Sequence, residues 1–508
     1  MTQEPPDLVV VGAGSAGAVI AARTTERADR RVLLLEAGPD YPDPAPLPAD
    51  LRDGTRNSLR SHDWGYRHRP TAGQVLFAFP RGRVVGGSSA VNTCIALRGK
   101  PYDYDEWAAL GLPEWSFERC LPAFKRLERD LDFDNPWHGQ GGPIPIRRHP
   151  ARELVPWQAG YLEAALALGA PRCDDHNDPT TTGVGPHAMN KIDGERMSAA
   201  RCYLDPATRA RGNLAIRPDT LVHRVRTKNR RVVGLDVETR GRIEFIPASR
   251  VVLSAGAIAT PGILLRSGIG PRRALERIGV DPVSVVPAVG ARLLDHPGAV
   301  IILVPNRGVA RLADPIIQTT WRYTSTGSGY PDDMQLQPAS IISFPWFHAP
   351  LVGIATVVGK PRGHGEIIWD SADPHARPRI DSALFHDPDD RARALEGLRL
   401  AHDVLRRRPL SSLARFAWPP EGFLKSRALL ERFLFKSCGS GYHPSGTVPM
   451  GPEGSPAAAV DQMGRVRGVE GLLVADASLM PTIPSSNTNL PTLMIGERFG
   501  EWLRDGIL

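Results

Sequence analysis

No apolar run in the 508 residues approaches the roughly twenty that a membrane-crossing helix needs, so no membrane span is expected. Cysteine is scarce. Cys94, Cys120, Cys173, Cys202 and Cys438 make an odd set without CxxC or Cys/His ligand spacing, which argues against a disulfide framework and a zinc module and leaves structural thiols. No metal is expected. Long basic runs are also missing: net charge is +7, but the 62 Lys and Arg are scattered among 55 Asp and Glu. The one compact cluster, Arg406-Arg407-Arg408, ends a predicted helix before Pro409, where positive charge suits the helix dipole. Nucleic-acid binding is not expected. Nor is there room for a signal peptide ahead of a strand that starts at Leu8, so the expected location is cytoplasmic. What is present is ordinary globular composition, 42% hydrophobic and 23% charged, in a chain long enough for two domains and a buried cofactor.

The chain is organised around residues 9–38, VVVGAGSAGAVIAARTTERADRRVLLLEAG. Leu8-Val9-Val10-Val11 reads as a buried parallel strand. Gly12 permits a tight turn, Gly14 lets backbone approach a pyrophosphate, and Gly17 lets the next helix pack on the strand. Ser15 and Ala16 then open a helix whose free N–H groups meet the phosphates. A second apolar run, Val32 to Leu35, ends at Glu36-Ala37, where the acid accepts from a ribose 2′-hydroxyl. Glu36 disfavours a 2′-phosphate, so NADP is disfavoured while FAD and NAD stay open.

Residues 39–80 are rich in Pro, Asp and Arg and read as an extended excursion over the cofactor. In Arg83-Val84-Val85-Gly86-Gly87-Ser88-Ser89-Ala90-Val91-Asn92-Thr93-Cys94-Ile95, adjacent glycines and serines put N–H groups and hydroxyls on one concave surface. This segment resembles the first signature of the glucose-methanol-choline (GMC) flavoprotein oxidoreductases. Gly256 to Gly270 resembles the second. Three further matches lie at His443-Pro444-Ser445-Gly446-Thr447, at Val474-Ala475-Asp476-Ala477-Ser478 and at Pro484 to Asn489.

The resemblance implies noncovalent FAD, with Val91 standing where some family members attach FAD through histidine. It implies an α/β fold of the p-hydroxybenzoate hydroxylase-like kind. A Rossmann-type FAD-binding domain (1–150, 195–300 and 455–508) would carry a discontinuous second domain (151–194 and 301–454) built on an antiparallel sheet with helices. Cofactor contacts are implied at Gly12, Gly14, Ser15, Ala16, Gly17, Glu36 and Ala37, and at Arg83, Val85, Gly86, Gly87, Ser88, Asn92, Thr93, Cys94 and Ile95. Val222, Ala255, Gly256, Asp476, Ala477, Asn487 and Thr488 complete the set. The residues agree with this division: Leu214–Arg217, Val232–Val237, Arg250–Ser254 and Gly471–Asp476 read as strands and Thr492 to Leu503 as a helix.

His443 matches the family histidine that faces flavin N5, and imidazole, titrating near pH 6.5, can take a hydroxyl proton while hydride leaves the carbon. Asn487 matches the second member of the family's His/Asn pair and can orient the substrate oxygen. Within the family the likeness is to bacterial members acting on primary aryl or furanic alcohols, of the hydroxymethylfurfural oxidase kind. Choline-type or mycofactocin-linked dehydrogenases, with another acceptor in place of oxygen, and a flavin-containing hydroxynitrile lyase are the alternatives. Pocket walls are expected from 310–350 and 410–442, with Trp321, Phe344, Trp346, Phe347, Phe416, Trp418, Phe433 and Phe435 as aromatic surface.

Overall fold

The apolar run Leu8–Val11 forms a strand buried at every position, and burying each such side chain contributes about 1.5–3 kcal/mol. It lies at the centre of a parallel sheet in the order Leu214–Arg217, Val32–Leu35, Leu8–Val11, Val251–Leu253, Leu472–Val474. Register aligns Val11 with Leu35 and Leu253, and Leu253 with Val474. Because all strands run the same way, the residues that follow, Gly12, Glu36, Ser254 and Ala475, emerge in one row, the edge at which open parallel sheets bind ligands. The architecture is α/β, as the resemblance implies. The computed structural model describes residues 5–42, 46–344, 347–348 and 350–508.

Helix Ser15–Thr24 follows the first strand and packs against the last long helix, Asn489–Arg504. Glycine makes the close approach possible: a Cβ at Gly496 would lie 2.9 Å from Ala16 O, and one at Gly500 2.6 Å from Arg23 Cβ. Buried Glu497 fastens the pair by accepting from Arg23, Arg126 and the Tyr203 hydroxyl. Pro491 sits in the first helical turn, where a missing donor costs nothing.

A second, antiparallel sheet of seven strands runs Ala414–Trp418, Pro297–Pro305, Val352–Val358, Met334–Ala339, Thr319–Tyr323, Gly183–Pro186, with Cys438–Ser440 also paired to Pro297–Pro305. It has its own hydrophobic core, containing Trp157, Tyr161, Leu398, Leu430 and Phe433 and distinct from the core around the parallel sheet. A three-stranded hairpin sheet, Thr220–Lys228, Arg231–Thr239 and Arg242–Pro247, stands beside the parallel sheet.

One buried polar cluster binds the connection after residue 127. His138 Nδ1 lies 3.1 Å from Glu128 and 2.9 Å from Asp130, and its Nε2 2.7 Å from Asp175. Arg148 bridges Asp130 and Asp175, and Arg98 bonds Glu128. Burial works against a charge on His138. Hydrogen bonds to Asp130, Asp175 and Glu128 outweigh it and raise the imidazole to about 10, so it is a cation.

Candidate active site

The row of strand ends opens into a cavity of about 400 Å³ that reaches across to the antiparallel sheet. At one end lies the glycine turn. Gly12 has φ +95°, and a Cβ there would meet Ser254 O at 2.5 Å, so alanine would clash with the neighbouring strand end. Gly87, φ +53°, leaves room for a close approach: its Cβ would sit 2.6 Å from Gly14 Cα. The two glycine loops thus touch and share one wall. Helix Ser15–Thr24 begins with no side-chain cap and no acid in its first turn, leaving N–H donors for a phosphate.

Glu36 closes this end. Its two carboxylate oxygens accept from Ala13 N (3.0 Å) and Gly38 N (2.9 Å), and burial pushes the group up to about 7 against those bonds. A bound ribose diol adds donors and favours the ionised form. Asp476 accepts from Gly256 N (2.8 Å), Thr260 Oγ1 (2.6 Å) and Ser478 N (2.7 Å), so it caps the turn Ala477–Leu479 and also ties that turn to the start of helix Gly256–Arg266. Gly256, φ +85°, has open space where a Cβ would point.

Of the residues expected from sequence, Gly12, Gly14, Ser15, Ala16, Glu36, Ala37, Gly87, Ser88, Asn92, Thr93, Ile95, Val222, Ala255, Gly256, Asp476, Ala477, Asn487, Thr488 and His443 all line this one cavity. Five others do not. Gly17 packs into the strand–helix junction, where a Cβ would strike Gly12 O. Arg83 stacks over Trp64 and reaches Ala37 O. Val85 donates to Pro39 O and Gly86 to Ala13 O, so their backbones hold the loop rather than face the cavity. Cys94 is fully buried beside Arg196 and Lys191, with burial raising its thiol.

At the other end, the segments carrying His296 and His443 zip together. Leu294 and Ser445 exchange backbone hydrogen bonds, Gly441 N donates to His296 O, and His443 N donates to Asp295 Oδ1 at 2.9 Å. The two imidazoles meet Nδ1 to Nδ1 at 2.8 Å. His296 Nε2 is 2.9 Å from the Pro484 carbonyl, which only accepts, so a neutral His296 carries its proton on Nε2 and presents a bare Nδ1. His443 must then donate from Nδ1. Its own Nε2 is left with a lone pair, which the Asn487 amide meets at 3.1 Å. Asn487 Oδ1 is buried without a partner among the described residues. Burial first, then the neighbouring His296 ring and the Arg81 charge, hold His443 well below its ordinary value; burial, working against the Pro484 carbonyl and the Asp103 charge, brings His296 to about 4. The arrangement is a neutral base with a fixed tautomer and an amide beside it.

His296 was not legible as a site residue, nor were Trp64, Tyr66, Arg81, Trp369 and Tyr442 on the same cavity wall. The expected aromatic wall is corrected. Trp321 and Phe433 are buried in the second core, Phe416 packs against it, and Trp418 and Phe435 are exposed. Trp346 lies outside the described residues, as do the side chains of Phe344 and Phe347. From 310–350 the cavity receives instead Ile316, Ile317, Gln335, Gln337 and Ala339.

FAD fits these residues: uncapped helix N–H groups for its diphosphate, a buried acid for its ribose, a glycine cradle, and an orphaned amide oxygen near the histidines. The GMC oxidoreductase family model matches residues 6–298 with its N-terminal part and 361–496 with its C-terminal part. The chain is 37% identical to 5-(hydroxymethyl)furfural oxidase of Methylovorus sp. (strain MP688), with 99% of each covered. It is 31% identical to oxygen-dependent choline dehydrogenase of Photobacterium profundum, covering 97% of this chain and 92% of that one. The structure is similar to pyridoxine 4-oxidase from Mesorbium loti at TM-score 0.88 and 31% identity, covering 98% of both chains.

Proposed function

The chain belongs to the GMC oxidoreductase family and is an FAD-dependent oxidoreductase acting on alcohols, and from that premise we propose that it oxidises a primary aromatic or furanic alcohol to the aldehyde, with molecular oxygen as acceptor. The observation that carries this is the His296–His443–Asn487 constellation at the cavity wall. His443 Nε2 takes the hydroxyl proton. Its Nδ1–H stays donated to His296, so the imidazolium that forms is already hydrogen-bonded when its charge appears. Asn487, with a free carbonyl oxygen and an amide that leaves the lone pair as substrate arrives, holds the alcohol oxygen in line. FAD, when bound, supplies the two-electron acceptor that takes a hydride from the carbinol carbon.

The substrate class follows from what faces this end. Among the described residues the only carboxylates on the cavity wall are Glu36 and Asp476, both engaged by backbone N–H groups. A cation such as choline finds no free carboxylate there, whereas Ile316, Ile317, Ala339, Ala355, Val357 and Tyr442 offer apolar surface to a flat ring. The relative named for hydroxymethylfurfural favours a furanic ring, and the relatives named as oxidases or as oxygen-dependent favour oxygen. The division into an FAD-binding domain (1–150, 195–300, 455–508) and a substrate-binding domain (151–194, 301–454) belongs to the same reading, as does noncovalent attachment beside Val91. The test is the visible flavin spectrum, recorded anaerobically while furanic, aryl and aliphatic alcohols and choline are added, then again in air. Bleaching by furanic or aryl alcohols and recovery in air is the expected result. Bleaching by choline alone, or no recovery in air, would overturn the substrate class or the acceptor respectively.

A further inference from the structure

At the far end of the cavity from His443, the hairpin strand Thr220–Lys228 faces the loop between Glu366–Ile368 and Arg379–Asp381. Leu221 and Val222 line the cavity from the hairpin, and Pro374, Ala376 and Pro378 line it from the loop. His223 is the extra residue of a β-bulge: register slips between Val222 and Arg224 against the partner strand, and a bulge of this kind re-aims a side chain. It turns toward Glu238 on that partner strand, and His375 reaches the same carboxylate from the loop. Glu238 Oε2 lies 2.9 Å from His223 Nε2 and 2.8 Å from His375 Nε2, and the three ligand atoms fall within 4.8 Å of one another.

We propose that His223, Glu238 and His375 form a site for a divalent transition metal of the zinc class, which clasps the 373–378 loop to the hairpin across the cavity. Two imidazole nitrogens and one carboxylate oxygen are a borderline-soft set that suits Zn²⁺, Co²⁺ or Ni²⁺ and not Ca²⁺ or Mg²⁺. Metal bonds of about 2.0–2.2 Å require the three atoms to spread by a few tenths of an ångström from their present hydrogen-bonded spacing. His375, with its side chain 58% exposed on a loop, can supply that movement. The nearby Arg224 and Arg226 are both paired to Asp236. Water completes the coordination on the exposed side.

The clasp depends on FAD occupying this cavity; the metal site does not. Calorimetric titration of chelator-treated holoenzyme with Zn²⁺ tests the site. One equivalent should bind, and His375→Ala or His223→Ala should weaken it by about 100-fold or more, with alcohol oxidation unchanged in His375→Ala. The rate of flavin release on dilution, read by fluorescence, should fall on zinc saturation of the wild type and not of His375→Ala. Substoichiometric binding, or binding that survives both substitutions at wild-type affinity, would overturn the site. Flavin release indifferent to bound zinc would overturn the clasp.

Discussion

His443 and His138 both lie inside the protein, yet His443 is held as a neutral base and His138 as a cation. The difference is in what meets the ring nitrogens. Three carboxylates surround His138, with Arg98 and Arg148 balancing their charge. Among the described residues no carboxylate accepts from the ring of His443: its Nδ1 meets a neutral imidazole and its Nε2 an amide. Asp295 is close, but it is spent on the His443 main chain and on Ser440. Burial alone would neutralise both histidines; partners decide. A base and a structural cation are thus made from one side chain in one molecule.

Removing the base should have the largest effect. His443→Ala is expected to slow anaerobic flavin reduction by alcohol by about 10³-fold, within the range for lost general-base catalysis, as read by stopped-flow bleaching. In the wild type the same rate should stay flat through neutral pH and fall only well below the ordinary histidine range, because a depressed value keeps the base form present as pH drops. Breaking the cation site comes next. Asp175→Asn leaves buried charge unpaired and should cost about 3 kcal/mol in thermal or denaturant unfolding. The sign of its pH dependence is fixed: His138 is raised to about 10 from 6.5, so its contribution is fully present below about 6.5 and is lost as pH rises through about 10.

His296→Leu removes the acceptor that sets the His443 tautomer and should slow reduction by about 10²-fold, while His296→Asn, which retains an acceptor, should recover part of it. His296→Asp makes His443 resemble His138. Its acid limb should move up into the neutral range, with activity restored at higher pH, and a profile unchanged from wild type would show that the partner does not set the charge. The smallest effect is expected at His402, which meets Glu421 at 3.3 Å near the surface. Its replacement by alanine should shift stability by no more than about 0.5 kcal/mol.

What the sequence disclosed follows the same logic. That Gly12, Gly14 and Glu36 would meet at one place was readable, because the turn and the adjacent strand end that carry them are set by neighbours a few residues away, and they line one cavity. Strands Leu214–Arg217, Val251–Leu253 and Leu472–Val474 were readable from apolar runs. His296 was not, since its role exists only through a contact with a ring 147 residues distant. The aromatic-rich stretch 416–435 misled for a physical reason: apolar density reports burial, and there it serves the second core and an exposed edge. Besides Trp369 and Tyr442, the cavity drew rings from Trp64 and Tyr66, in a segment whose Pro, Asp and Arg content reads as surface.

The pairing of helix Ser15–Thr24 with helix Asn489–Arg504 has a consequence for biosynthesis. Ser15 Oγ donates to Asn489 Oδ1 at 2.9 Å across a separation of 474 residues, and the strand that completes the parallel sheet is Leu472–Val474. The glycine turn therefore leaves the ribosome long before the helix that packs against it, 474 residues further along. While the chain between them is being made, the turn stands without its facing wall, and the cavity they line closes only once that later helix has been translated.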